Sequence, residues 1–342
     1  MRQRHVFSWA AWFLVTVNAA ALLAGFVAPY NYETQDRLRP YAPPTRLHLV
    51  DCEGKFHFWP FVYMTRPGGE SLTEYQEDCG QRFPVRFFLS GDGYTVLGLF
   101  SGHRHLFGVD LPARMYLLGG DGLGRDQFSR MLYGAQVSLF AGALAALLAM
   151  MGGLLVGSIA GVYGGAIDDL CMRVTEVIIA VPPFYVLLAV RAFLPLQVSA
   201  PVMFLEIVAV LGFVAWGRPA RLVRGVVLGA RERSFVLAAQ GFGASRAYLL
   251  RRHLMPLAMN AALTQMAVSI PQIILGEVVI SFLGLGMSEP VPSWGNMLAQ
   301  AQQYHVLTAH WWMLLPALAL VPVTLAYQAL ADVLGSRLQS RI

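Results

Sequence analysis

The chain has 342 residues, of which 56% are apolar and only 13% are charged. Soluble proteins average about 25% charged residues, so this deficit excludes a disordered chain, a fibrous protein and an ordinary soluble enzyme. The net charge of +5 comes from arginine, because Lys55 is the only lysine. A nucleic-acid groove needs a broad basic face, whereas the arginines here are clustered. We therefore expect a membrane protein with no nucleic-acid partner.

Long windows without acidic or basic residues predict the membrane spans. A helix rises about 1.5 Å per residue, so about 20 apolar residues cross the hydrocarbon core. Four windows reach this length without interruption: 6–32, 131–167, 254–276 and 306–331. Two further stretches, 174–194 and 202–216, are interrupted by Glu176 and Glu206. The sequence therefore predicts an all-α polytopic membrane protein with six transmembrane helices.

Two features of the spans predict how they pack. Proline has no backbone N–H, so Pro182 and Pro183 are expected to kink the third span. Small residues at four-residue steps let helix backbones approach closely. In the second span such residues are Gly152, Gly153, Gly157 and Gly161.

The first window has two interpretations. Arg2, Arg4 and His5 resemble the basic start of a signal peptide, but the apolar stretch that follows exceeds the usual length of about 7 to 15 residues. We therefore favour an uncleaved transmembrane anchor helix over residues 1–30. Arginine-rich span ends lie in the cytoplasm, so six spans place both termini there.

The segment 31–115, between the first two spans, is composed like a soluble domain. Its charges nearly cancel, and alternating aromatic residues such as Phe56 and Phe58 indicate short strands. We expect a small extracytoplasmic insert of α+β or irregular structure. Cys52 and Cys79 both lie in it, and an oxidising compartment permits a disulfide between them. Two cysteines in one small domain can equally stay reduced.

The loop 217–257 is the most informative stretch. It carries eight arginines against the single acid Glu232. Apolar residues recur at helical spacing on both sides of Gly241 and Gly243, and glycine tolerates the backbone angles of a helix end. The pattern predicts a helix, a break and a second helix, with Pro256 at the start of the fifth span. On charge alone, an ordinary positive-inside loop would look the same.

The residue order in this loop resembles a family signature. Residues 235–245 (FVLAAQGFGAS) and 252–256 (RHLMP) are similar to the cytoplasmic loop of permease subunits in binding-protein-dependent ABC importers, of the dipeptide/oligopeptide type. Two positions depart from the family pattern, since Leu237 replaces its leading acid and Leu257 an asparagine. The resemblance implies a coupling helix that docks on an ATPase subunit, with docking positions Ala238, Ala239, Gly243, Ala244, Arg252, His253 and Pro256.

Two further signatures strengthen the resemblance. In the family, the segment before the second span is similar to residues 116–126 (YLLGGDGLGRD) and 128–134 (FSRMLYG). The end of the fifth span and the outer loop after it are similar to residues 281–286 (SFLGLG) and 292–298 (PSWGNML). The resemblance covers roughly 1–30 and 112–342 and suits the second of two permease subunits. It implies the type I ABC importer permease fold, with a five-helix core over 116–342.

The partners follow from the same resemblance. It implies a homologous second permease subunit, two cytoplasmic ATPase subunits or domains, an extracytoplasmic solute-binding protein and the lipid bilayer. Its cargo would be peptides or similar small solutes. A phosphate-binding loop needs Gly-x4-Gly-Lys-Ser/Thr, but the only lysine, Lys55, precedes Phe56. We therefore expect ATP on partner subunits, and no catalytic site, cofactor or metal in this chain.

Two acids within the spans are candidates for the translocation path or its gate. A carboxylate in hydrocarbon is costly and usually faces a bundle interior or a cavity. For Glu206, a pathway role and an ion pair with an arginine such as Arg191 are equally open. Glu277 suits a gate, or it simply reaches headgroup water. A secondary transporter or channel that uses these two acids is the alternative function, and a binding-protein-stimulated ATPase partner would distinguish the importer from it.

Overall fold

The structure is a computed structural model that describes residues 2–68, 74–96, 100–193 and 198–339. The side chains of 2–7, 191 and 336–339 are not described. Several side chains used above to predict orientation and pairing therefore lie outside the described part of the chain, namely Arg2, Arg4, His5, Arg191, Arg337 and Arg341.

Contacts divide the chain into two compact units. The first unit comprises Met1–Leu14, Leu139–Ile280 and Val321–Ile342, and the second comprises Val15–Ser138 and Ser281–Leu320. The predicted division into 1–30, 31–115 and 116–342 stays a prediction, because these units group residues by contact and not by the side of a membrane.

Helices form most of the described structure. In chain order they are α1 (Arg2–Leu22), α2 (Ala24–Val27), α3 (Gln127–Tyr163), α4 (Gly165–Ala180), α5 (Pro183–Phe193), α6 (Ala200–Ala215), α7 (Gly217–Arg231), α8 (Ser234–Gly241), α9 (Arg246–Leu249), α10 (Met255–Phe282), α11 (Trp294–Gln300), α12 (Tyr304–Ala309) and α13 (Leu315–Gln339). A π-helical turn (Leu250–Leu254) joins α9 to α10, and a 3-10 turn (Trp311–Leu314) precedes α13.

Helix length and hydropathy test the predicted spans. Three stretches are long and apolar enough to cross a membrane: Gln127–Tyr163, Arg246–Phe282 and Trp311–Gly335. The pairs α4–α5 and α6–α7 each pass the same test together and are bent by 84° and 42°. The described residues therefore contain three clear spans, or up to five. In the predicted first window the apolar helix Ser8–Leu22 is too short to pass this test, so helical membrane architecture is confirmed but the number six is not.

The helices of the first unit approach closely where the glycine spacing predicts it. A Cβ on Gly157 of α3 would lie 2.4 Å from the carbonyl oxygen of Ala220, and one on Gly161 would lie 2.6 Å from a methyl group of Val227. Both neighbours belong to α7. Only glycine fits at these two positions, so α3 and α7 pack backbone against backbone.

The insert is made of antiparallel sheets. Strands β1 (His48–Val50), β2 (Phe56–Pro67) and β3 (Tyr75–Pro84) form one sheet in that order, and β4 (Arg86–Val96) pairs with β5 (Phe100–Gly108) in a second. The expectation of α+β or irregular structure was wrong, because the described residues of 31–115 contain strands and no helix. The sequence there is rich in alternating aromatic residues, which pack well on a pleated surface.

The insert has a small core and a covalent link. Its core consists of Val62, Phe83, Val85, Val109, Ala113 and Met115. In the structure Cys52 and Cys79 form a disulfide, with their Cα atoms 6.2 Å apart. The bond ties the turn after β1 to the middle of β3.

Candidate coupling site

The loop between the fourth and fifth predicted spans is held by the C-terminal end of α3. Helix α7 buries Val223, Val227 and Ala230 in the first unit's core. At its last residue, Arg231 Nη1 donates a hydrogen bond of 2.9 Å to the carbonyl oxygen of Gly161. A cation at a helix C-terminus also interacts favourably with the helix dipole. The chain therefore leaves α7 at a defined point against α3.

Helix α8 is anchored on one side and open on the other. Val236 is fully buried in the same core as α7. Phe235 and Leu237 are exposed on either side of it, and Phe242 just after the helix is 94% exposed. Three large apolar side chains are thus exposed within this short segment, and exposed apolar surface of this kind is often covered by another protein.

The break after α8 lies where the sequence predicts it. Helix α8 ends at Gly241, and Gly243 adopts a φ of +81°, which favours glycine. The Ser245 hydroxyl then accepts a hydrogen bond of 3.2 Å from the backbone N–H of Tyr248, which caps α9. The helix–break–helix prediction is confirmed. Pro256 is the second residue of α10, as predicted for the start of the fifth span, although the helical run reaches back through the π-helical turn to Arg246.

Aromatic contacts connect α8, the π-helical turn and α3. The ring of His253 lies 5.8 Å from the rings of both Phe235 and Tyr248. The guanidinium carbon of Arg246 lies 5.6 Å from the ring centroid of Tyr163, the last residue of α3. Arg231 and Arg246 therefore both contact the last turn of this long helix.

The predicted docking positions fall into two groups by exposure. Ala239 and Ala244 are partly buried against the core of the first unit, and His253 is half-buried. The remaining positions are exposed: Ala238, Gly243, Arg252 and Pro256. All seven positions lie in one segment, and four of them are exposed at the surface of the chain.

The two candidate path acids lie on different helices. Glu206 is half-buried on α6, and Glu277 on α10 is fully buried. The buried position of Glu277 does not fit the alternative in which it simply reaches headgroup water, and its role in a gate stays a prediction. Glu176, which interrupts the predicted third span, pairs with Arg173 at 3.0 Å and with Arg221 at 3.7 Å.

Sequence reasoning missed a buried charge network in the second unit. Arg125 Nε lies 2.7 Å from Asp121, and its Nη1 lies 2.5 Å from Glu289. Arg130 Nη2 lies 2.9 Å from the same Glu289. Asp121 and Arg130 have fully buried side chains. The two arginines just before the predicted second span indicated that acidic partners would be needed. Nothing in the sequence indicated that the distant Glu289 would be one of them.

Asp126 is buried beside this network at the start of α3. Its carboxylate accepts hydrogen bonds from the Ser129 backbone N–H at 2.8 Å and hydroxyl at 2.6 Å. Burial raises the pKa of Asp126 to about 7, although these hydrogen bonds act to lower it. The Asp126 carboxyl therefore titrates near neutral pH in the folded chain.

The described residues show no group of three or more potential metal ligands among histidine, cysteine, aspartate and glutamate. The alternating pair His103 and His105 is split, because His105 is buried and its ring nitrogens face the carbonyl oxygens of Ala28 and Asp92.

Comparison with known proteins identifies the family. Residues 153–340 match the family described as binding-protein-dependent transport system inner membrane component. The dipeptide transport system permease protein DppC of Bacillus subtilis is 38% identical over 232 residues, which cover 68% of this chain and 70% of the relative. The oligopeptide transport system permease protein OppC of the same organism is 33% identical over 68% and 73% of the two chains. The glutathione transport system permease protein GsiD of Pectobacterium atrosepticum is 34% identical over 68% and 74%.

The chain therefore belongs to the family of binding-protein-dependent transport system inner membrane components. It is a multi-pass membrane permease subunit of an ABC importer, and as such it is a transport subunit and not an enzyme. The predicted family is confirmed.

Proposed function

We propose that this chain is the second of two homologous permease subunits in an ATP-driven importer of peptides or similar small solutes. The relatives named for dipeptide, oligopeptide and glutathione transport support this cargo. Two cytoplasmic ATPase subunits bind ATP, and an extracytoplasmic binding protein delivers the solute. The chain spans a bacterial inner membrane six times, with both termini in the cytoplasm and residues 31–115 outside.

The observation that carries the coupling role is the open face of α8. Val236 holds the helix in the core, while the neighbouring Phe242 is almost fully exposed. Arg231 and Arg246 connect this segment to the end of α3. A push by the ATPase on α8 would therefore be transmitted to a helix of 37 residues and through it to the translocation path.

The backbone at Gly243 supplies the test of this role. Gly243 has a φ of +81°, in the left-handed region. This region costs ordinary residues about 1–2 kcal/mol, and a β-branched residue is strained by more than that. Gly243→Val should therefore shift α8 and lower dipeptide uptake per ATP hydrolysed by about tenfold or more. The measurement is paired uptake and ATP hydrolysis by the complete transporter in proteoliposomes with its binding protein.

Gly241→Ala is the matched control. Its added Cβ would meet no atom within 4 Å, and it lies within the same helical segment. Both variants should reach the membrane in wild-type amounts. Wild-type coupling in Gly243→Val would contradict the docking role, and uptake driven by an ion gradient without ATP would contradict the importer itself.

A further inference from the structure

A cavity lies at the bend between α4 and α5 in the first unit. Its volume is about 270 Å³, and α4, α5, α6, α7 and α10 all contribute to its wall. The wall is mainly aliphatic, with Leu211, Val214 and Ile273 among its residues. Pockets for small molecules begin at about 300 Å³, so this one suits a small solute or one end of a larger solute.

The prolines of the bend remove two helical hydrogen-bond donors from residues in this wall. Pro182 and Pro183 have no N–H to donate to the carbonyl groups of Ile178 and Ile179, four residues earlier. Both isoleucines line the cavity. Helices α4 and α5 are apolar enough to form one broken span. In a membrane, carbonyls freed in this way are tolerated where they are buried in protein or line a cavity.

Helices α7 and α10 contribute polar side chains to the cavity wall. They are Arg218 of α7 with Ser269 and Gln272 of α10, and the Ser269 hydroxyl already donates to the carbonyl oxygen of Gln265. In the described part of the chain, no acidic side chain forms an ion pair with Arg218. The next arginines on α7 differ, because Arg221 pairs with Glu176 and Arg224 with Asp168. An arginine left without an acid beside an apolar cavity is suited to an anionic ligand.

We propose that this cavity binds the carboxylate end of a transported peptide. Arg218 pairs with the terminal carboxylate, and Gln272 donates to a peptide carbonyl. The freed carbonyls of Ile178 and Ile179 accept from peptide N–H groups, and the aliphatic wall takes a small side chain. This inference rests on the proposed function, and it adds which chemical group of the cargo the permease itself recognises.

The test measures protection of a cysteine placed in the cavity wall. Val181→Cys, in the bend, is introduced into the complete transporter, and maleimide labelling is followed with L-alanyl-L-alanine or its C-terminal amide. Labelling of the native chain gives the background from Cys171. We expect the dipeptide to slow labelling several-fold and the amide to have no effect. Arg218→Gln should abolish the protection, and Arg218→Lys should retain part of it.

Arg221→Gln is the matched control, because it removes the same charge from the same helix but faces Glu176; it should leave protection unchanged. Equal protection by dipeptide and amide, protection that survives Arg218→Gln, or a cysteine that never labels would each overturn the inference. If the transporter imports the dipeptide with ATP but shows no protection, the inference fails and the proposed function stands. Absence of ATP-driven dipeptide uptake would refute the peptide cargo and this inference with it.

Discussion

The two compact units of the chain are stabilised by different interactions. In the first unit, α3 and α7 are in direct backbone contact at Gly157 and Gly161. In the second unit, an ion pair between Arg130 and Glu289 links the first turn of α3 to the loop after α10. Apolar spans gain little from burial against one another in lipid, so close backbone packing stabilises them. A segment outside the hydrocarbon can instead be stabilised by paired charges, and removing one partner of a buried pair is costly.

The substitution with the largest expected effect breaks the charge network. Arg130→Met leaves the buried carboxylate of Asp121 with one cation fewer, and removing one partner of a buried ion pair costs about 3–5 kcal/mol. Arg86→Met is the control in the same unit, because its ion pair with Asp110 is exposed and such pairs contribute about 0–1 kcal/mol. Thermal unfolding of the purified transporter should show a large fall in melting temperature for the first variant only. Equal melting temperatures would mean that the network does not stabilise this unit.

The next effect depends on pH and belongs to Asp126. Its pKa is raised by burial to about 7 from an ordinary value of 3.8. Below 3.8 the carboxyl is protonated in both states and costs nothing. As pH rises from 3.8 to about 7, the unfolded chain ionises first, so stability falls and the full penalty is present above 7.

Asp126→Asn removes this titration and keeps an oxygen that can accept from Ser129. We expect the stability of the variant relative to the wild type to rise as the pH is raised from 5 to 8. Melting temperatures of both proteins across that range give the comparison. A difference between them that does not change with pH would contradict the raised pKa.

The substitution with the smallest expected effect tests the close packing of α3 and α7 in the first unit. Gly157→Ala places a Cβ 2.4 Å from the Ala220 carbonyl oxygen, and overpacking of this kind costs about 1–3 kcal/mol. Gly225→Ala, on α7, meets no atom within 4 Å and should be neutral or stabilising, because alanine is the better helix former. Expression and melting temperature of the two variants separate them. If Gly157→Ala is as stable as Gly225→Ala, α3 and α7 do not depend on this close approach.

Local sequence patterns predicted the features that arise within one segment. The charge-free windows identified the helices Gln127–Tyr163 and Trp311–Gly335. The pair Pro182 and Pro183 predicted the bend, and Gly243 predicted the break after α8. Each of these depends on backbone chemistry or on hydropathy over a few turns. The order of signatures along the chain also sufficed for the family.

The insert shows where composition was insufficient. Alternating aromatic residues indicated strands, but not that the described residues would lack a helix or divide into two sheets. Strand pairing depends on register between segments that the pattern of one segment does not specify. The same limit applied to Glu277, whose spacing left open whether it reached water.

The sequence by itself determined the membrane character of this protein, its family, and the position of the segment that we propose contacts the ATPase. Only the tertiary structure brought Glu289 to Arg125 across 164 residues and placed Arg218 and the bend between α4 and α5 in the wall of one cavity. Hydropathy and helix breaks are properties of neighbouring residues. A buried ion network or a cavity exists only once helices distant in sequence have packed together.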